Sequence, residues 1–216
     1  GTQGNYAWVM AGTENFDTAF SLGKSRGKGN IDATDIGITD DYGAYRNAFK
    51  KHQLCWAHPH RKLRDLSQSG ELSEEKQKHC EGVFEQFSNL YHNLRSALKQ
   101  NGREKPVSRY IRHKLYNMFD LVSGEDPNDP HLLQKIKTTL RKNKDKYFTC
   151  LDYPFLPTDN NKAERALRHL VIKRKISMGS KTEKGAETLS ILASVLLSLK
   201  WNDPENWFKK YLGYQY

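Results

Sequence analysis

Cysteine is scarce in this chain, and the scarcity narrows what the protein can be. Cys55, Cys80 and Cys150 are the three cysteines in 216 residues, too few and too scattered for a disulfide scaffold or a four-thiolate zinc site. Buried or idle thiols in a reducing compartment are the expectation. No apolar run approaches the roughly 18 residues that would span a bilayer, and the first residues do not read as a basic-then-apolar leader. Internal repeats and low-complexity tracts are missing too, which sets aside a repeat array. Gly23-Lys24-Ser25 lacks the preceding glycine pattern of a phosphate loop. Acids are in deficit: 25 Asp and Glu stand against 35 Lys and Arg, a formal net charge of +10. Such an excess suits a polyanionic partner or one basic face, and it does not by itself establish nucleic-acid binding.

What is present changes character along the chain. Alternating apolar runs at 6–12 and 16–23, parted by Gly12-Thr13-Glu14-Asn15, predict a β-hairpin. Residues 25–30 read as a loop. A short strand is expected at Ile36–Thr39, ending on Asp40 and Asp41, and a second short apolar piece, HQLCWA, at 52–57. From Gln77 to Gln100 the apolar residues fall at helical spacing, and Val107 to Val122 repeats the pattern. Asn101-Gly102, and Gly124 with Pro127 and Pro130, mark the ends. These stripes predict an antiparallel helical hairpin packed through Phe84, Phe87, Leu94, Leu115 and Phe119, with a third helix over about 131–144. Further on, Thr158-Asp159-Asn160 offer caps for a helix through about Leu170. Glu183 to Lys200 reads as a helix apolar on most sides, hence buried or nearly so, and an amphipathic end spans 204–212. Strands early and helices in the middle suggest an α/β domain with a helical insertion.

Two acids attract attention. Asp40 closes an apolar strand, where open α/β sheets place ligands, although an Asp before Asp41-Tyr42-Gly43 is also an ordinary turn former. Glu164 stands among Lys162, Arg165, Arg168, His169, Lys173, Arg174 and Lys175. An i,i+4 pairing with Arg168 would explain it modestly, at about 0.2–0.5 kcal/mol. The other explanation is a magnesium-type site, which wants a few carboxylate oxygens beside cations that grip a nucleic-acid backbone. Cys55, His58 and His60 could ligate zinc, but no second pair at finger-like spacing accompanies them. The histidines read better as packing or substrate-contact residues at a helix start.

The ordered motifs resemble the catalytic region of bacterial and archaeal insertion-sequence transposases of the Asp-Asp-Glu class, in the insertion-sequence sixty-six family. The residues that carry the resemblance are Ser25-Arg26-Gly27; Thr39-Asp40-Asp41-Tyr42 with Ala44-Tyr45; and Cys55-Trp56-Ala57-His58 with Arg61-Lys62. The most specific match is the run Asp159 to Arg168, followed by Arg174-Lys175 and Gly179. The resemblance implies a ribonuclease H-like mixed sheet, N-terminally incomplete, with an all-helical insertion. Residues 1–73 would form its first part, 74–150 the insertion, and 151–216 its C-terminal helical part. Asp40 matches the second catalytic aspartate and Glu164 the final glutamate, both as metal ligands. The family's first aspartate lies on a strand ahead of the hairpin, and Asp17 is a poor substitute, so the expectation is a piece of a longer polypeptide, the alternative being a relative that has lost that strand.

The same resemblance implies metal-dependent cleavage and strand transfer at transposon ends. Mg²⁺ or Mn²⁺ would be the cofactor, not tightly held by this stretch alone. The partners would be double-stranded DNA and, in the longer parent, the transposon ends. The setting would be cytoplasmic and nucleoid-associated, with no membrane and with homo-oligomerisation open. Phosphate contacts are expected from Lys173, Arg174 and Lys175, then Arg165 and Arg168. On this reading the chain alone binds DNA without cutting it. The competing readings are a non-catalytic nucleic-acid-binding module and a protein whose helical hairpin serves self-association.

Overall fold

The computed structural model describes residues 6–12, 17–23, 35–45, 48–177, 180 and 182–213. Ser25-Arg26-Gly27, Gly179 and the whole 25–30 loop expectation lie outside the described residues. In chain order the elements are β1 (Tyr6–Ala11), β2 (Thr18–Gly23), β3 (Ile36–Thr39), β4 (Lys51–Leu54), α1 (Ala57–Ser67), α2 (Glu74–Asn101), α3 (Arg109–Ser123) and α4 (His131–Lys142). They continue with α5 (Lys144–Tyr147), α6 (Thr149–Asp152), α7 (Asn161–Ser177), α8 (Glu183–Asn202) and α9 (Trp207–Leu212). A short 3₁₀ turn covers Gly43–Tyr45. Two compact units emerge, one from the described parts of 1–34, 43–48 and 160–216, the other from 35–42 and 49–159.

In the first unit β1 and β2 pair antiparallel with Val9 opposite Phe20, the hairpin that period-two alternation predicts. Helix α7 lies along β1 and α8 along β2. Phe20, Ala166 and Leu197 form the buried centre, with Val9, Leu170, Ala193 and Trp201 packed round it. The Trp8 ring meets Tyr45 edge-on at 5.7 Å between centroids. Helix α8 departs from the expectation of near-complete burial: Ile191, Leu192 and Val195 are exposed. Its inward face carries serines instead. The Phe20 N–H donates to Ser194 Oγ at 2.9 Å, and the Thr18 N–H to Ser198 Oγ at 2.8 Å. Ser198 Oγ returns a hydrogen bond to the Thr18 carbonyl at 3.1 Å. The physical reason is that β2 needs partners for its outward backbone groups, and hydroxyls one turn apart supply them where leucines could not.

The second unit is built round a parallel pair, β3 with β4, in register from Ile36 opposite Lys51 to Thr39 opposite Leu54. Helix α2 runs 28 residues behind Ser73, with Glu74 and Glu75 in its first turn, where carboxylates favour the helix dipole. It stops at Gly102, whose φ of 77° suits glycine best. Helix α3 starts at Ser108, whose side chain accepts from the Ile111 N–H, an N-cap bond. Helices α1, α2, α3 and α4 pack together, burying Leu63, Phe87, Leu90, Leu94, Leu115, Phe119, Leu133 and Leu140 in one cluster. At about 1.5–3 kcal/mol per large apolar side chain, this cluster dominates the unit's stability. Phe84, expected inside, is only partly buried and meets the His60 ring instead, at 5.1 Å.

Trp56 sits fully buried at the centre, its ring within 6.0 Å of those of Phe87, Tyr91, Phe119, Tyr147 and Phe148. Its indole N–H donates to the Tyr147 carbonyl at 2.7 Å. Gln53, also fully buried, donates to that carbonyl at 2.8 Å and accepts from the Cys150 N–H at 2.7 Å. The amide thereby fastens β4 to α5 and α6, and no buried polar end of Gln53 goes unused. All three cysteines are buried, as expected.

Candidate functional site

The parallel pair ends where a site would be placed. Thr39 is the last residue of β3, and the Cys55 N–H donates to its carbonyl at 2.8 Å. The Thr39 hydroxyl lies 2.7 Å from the Asp40 carbonyl and 2.7 Å from His52 Nε2. A hydroxyl has one proton to give. Donating it to Asp40 makes Thr39 the acceptor from His52, which fixes the imidazole as the Nε2–H tautomer. Burial first, and then the Lys146 cation, lower the His52 pKa to about 4, so this ring is neutral at neutral pH. The strand end is thus held without charge directly behind Asp40.

Asp40 itself starts a turn: its Oδ1 accepts from the Tyr42 N–H at 3.1 Å. The turn-forming reading of the sequence is therefore real, and it occupies one oxygen. The second oxygen has no hydrogen bond among the described residues. Beyond it opens a cleft of about 360 Å³. Asp40, Asp41 and Tyr42 form one wall; Cys55, just ahead of α1, with His58, Pro59 and Lys62 of α1, forms the second. Lys135, Ile136, Thr139 and Leu140 of α4, with Tyr147, complete it. Burial, with Asp41 and then Cys55 adding, pushes the Tyr147 phenol far up, so it serves as a neutral wall. His58 takes a contact from Arg61 at 3.3 Å, whereas His60 points into the core. There it bonds Ser88 at 3.1 Å, and burial, with Arg64 adding, lowers its pKa. The two histidines that the sequence pairs thus part company, one on the cleft and one in packing.

Glu164 lies in the first turn of α7, half-buried, with its N–H donating to the Asn160 carbonyl at 3.1 Å. A carboxylate there is favoured by the helix dipole. Ahead of the helix, the Thr158 hydroxyl lies 3.2 Å from Tyr91 Oη. Lys162 reaches from α7 to the Gly12 carbonyl and ties the helix to the end of β1. Asp40 and Glu164 belong to different compact units. Among the described residues no group of three or more His, Cys, Asp or Glu could hold a metal ion.

Helix α7 runs on to Ser177 instead of ending near Leu170, and this alters the basic run. Successive helical residues turn by about 100°, so Lys173 and Lys175 diverge instead of forming one patch; the Arg174 side chain lies outside what is described. The coherent stripe is Arg165, Arg168 and Lys175, all exposed, which fall within about 80° of one another on the wheel. Glu164 flanks it. Lys173 is exposed on another side. The sequence signal for the stripe is spacing at i, i+3 and i+10. Adjacency of the three cations obscures it.

As ligands, Asp40 and Glu164 suit Mg²⁺ or Mn²⁺ in kind, being hard oxygen donors. The open second oxygen of Asp40 is the feature that supports such a role. A sparse set is in keeping with a cation held partly by waters and substrate phosphates.

Residues 1–188 match the family described as Transposase IS66 family. The chain is also 28% identical over 165 residues to an uncharacterized protein, y4jO, of Sinorhizobium fredii (strain NBRC 101917 / NGR234). That alignment covers 76% of this chain and 47% of the relative, so the chain spans about half the relative's length. No solved structure matches. The two two-stranded sheets and the helical stretch between β4 and α7 accord with the α/β, ribonuclease H-like class. No helix among the described residues is long and apolar enough to cross a membrane.

Proposed function

The chain belongs to the transposase IS66 family, and on that premise we propose that it serves DNA transposition, by metal-dependent cleavage and strand transfer at transposon ends. Asp40 and Glu164 are its two catalytic carboxylates in this reading. Residues 1–73 and 151–216 make up the ribonuclease H-like part, and 74–150 is the helical insertion. The observation that carries the proposal is the position of Asp40, at the carboxyl end of a parallel strand pair and lining a cleft, with one oxygen free of hydrogen bonds among the described residues.

Each side chain has a distinct task. The Tyr42 N–H holds one Asp40 oxygen, so the other is presented in a fixed direction. Neutral His52 behind the strand end keeps a competing cation away from it. Glu164 supplies the second carboxylate from the first turn of α7. A divalent cation bound by these acids would polarise the scissile phosphate and lower the pKa of an attacking water. Arg165, Arg168 and Lys175 track the phosphate backbone along one helix face, and Lys173 and Arg174 remain further phosphate contacts on the sequence reading alone. Such contacts position the duplex without reading its sequence.

The test is strand cleavage of transposon-end DNA by the full-length protein with Mn²⁺. Asp40→Asn and Glu164→Gln should each abolish cleavage while leaving duplex affinity and thermal melting unchanged. Retained cleavage by either variant would remove that residue from the site. Duplex binding without cleavage by the unsubstituted full-length protein would favour the non-catalytic module.

A further inference from the structure

We propose that the cleft at Asp40 is a phosphate-binding groove whose far wall belongs to the helical stretch, with Lys62 of α1 and Lys135 of α4 as the paired cations that take a nucleic-acid phosphodiester. The inference rests on the transposase reading and assigns two phosphate-binding side chains that lie outside the basic helix α7.

Three observations converge. Lys62 and Lys135 are distant in sequence, yet α1 and α4 pack against each other and bring both lysines to the rim of one cleft of about 360 Å³. That is within the size range of small-molecule sites, roughly 300–1,000 Å³. Asp40 and Asp41 line the same cleft. Yet neither lysine forms an ion pair with these acids, or with any other acid among the described residues.

Lys137, close to Lys135 on the same helix, behaves differently. It closes on Asp129 at 2.8 Å and is buried with it. A lysine placed to neutralise an acid in this unit therefore does so directly. Lys62 and Lys135 remain exposed instead, facing two carboxylates across open space. A phosphodiester laid between them offers its oxygens to the ammonium groups, while Asp40 remains on the opposite wall. The helical stretch is then part of the substrate groove as well as a spacer.

The experiment measures the salt dependence of binding to a random-sequence duplex. Each phosphate deprived of its lysine should reduce the slope of log K against log salt by about 0.9. Lys62→Gln with Lys135→Gln, which together strip the cations from that one phosphodiester, should therefore make it shallower by about 0.9. Lys105→Gln with Lys142→Gln, an equal charge change at exposed lysines outside the cleft, should change it far less. On the unsubstituted protein, bound duplex should protect Lys62 and Lys135 from acetylation by a small reagent, read by mass spectrometry. Equal slopes for the two double variants, or unprotected lysines in the bound state, would overturn the groove. If Arg165, Arg168 and Lys175 still set the slope in that case, the transposase reading survives. Salt-insensitive binding would remove both.

Discussion

Lys137→Met should be among the most damaging single substitutions in the helical stretch, although it touches no proposed DNA contact. Asp129 lies in the connection between α3 and α4, and its side chain is 1% exposed; that of Lys137 is 5% exposed. The ammonium meets both carboxylate oxygens at 2.8 Å. His79 of α2 adds a third bond at 2.8 Å, and the Asp126 N–H a fourth at 3.3 Å. Burial alone would raise the Asp129 pKa, but the bonds from Lys137 and His79 outweigh it and hold the carboxyl below its ordinary range. Removing the ammonium leaves a buried carboxylate short of its main partner, a loss of about 3–5 kcal/mol. Domains are stable by only about 5–15 kcal/mol, so urea unfolding at about pH 7.5, well above the carboxylate range, should register a large shift. The sign with pH is fixed. A depressed carboxyl contributes stability that is fully present above its unfolded value, about 3.9, and lost as pH falls through the folded value. The gap between the unsubstituted protein and the variant should therefore narrow in acid. Adding Asp129→Leu should recover much of the loss, because the stranded charge goes with it. A single-variant loss below about 1 kcal/mol, the range of an exposed pair, would refute the reasoning.

Three further outcomes follow from the same unit. Phe87→Ala, at a fully buried site against Trp56, should cost about 3–5 kcal/mol in chemical denaturation, and a loss under about 1 kcal/mol would mean that the site collapses to fill the gap. Gly37→Ala should destabilise by about 1–3 kcal/mol, because the added methyl would fall on the Phe49 ring; an unchanged melting temperature would show that the ring moves freely. His52, neutral in the fold with a pKa of about 4, gives stability that is complete above about 6.5 and lost as pH falls towards the folded value. The loss is on the order of 3 kcal/mol, and His52→Gln should flatten that part of the stability–pH curve.

The sequence is most legible where a single period governs the residues. The β3 strand falls on Ile36–Thr39 as expected, and α2, α3 and α4 fall within a few residues of their apolar stripes. Helix α1 escapes a reading by period because AHPHRKLRDLS is mostly polar, its inward side resting on Pro59, Leu63 and Leu66. Gln53 reads as no more than part of a short apolar piece. Its value lies in three hydrogen bonds, two of them to residues more than 90 positions away, which no local pattern can show. For α8 the helical period is correct but the expected burial on most sides is not, since apolar count cannot reveal that a strand edge needs hydroxyls. Asp40 can be named from its place after a strand. The walls facing it, Lys62 and Lys135, cannot, because only packing of α1 on α4 brings them together.

The serines of α8 have a consequence for how the hairpin can grow. Ser194 and Ser198 occupy backbone groups at Phe20 and Thr18, the groups through which β2 would otherwise template another strand. An unguarded edge invites pairing with any extended segment nearby, including one from a second molecule. A strand arriving at Thr18 and Phe20 would first have to displace both hydroxyls. The helix thus guards that edge of the sheet, and Ser194→Ala with Ser198→Ala would bare it.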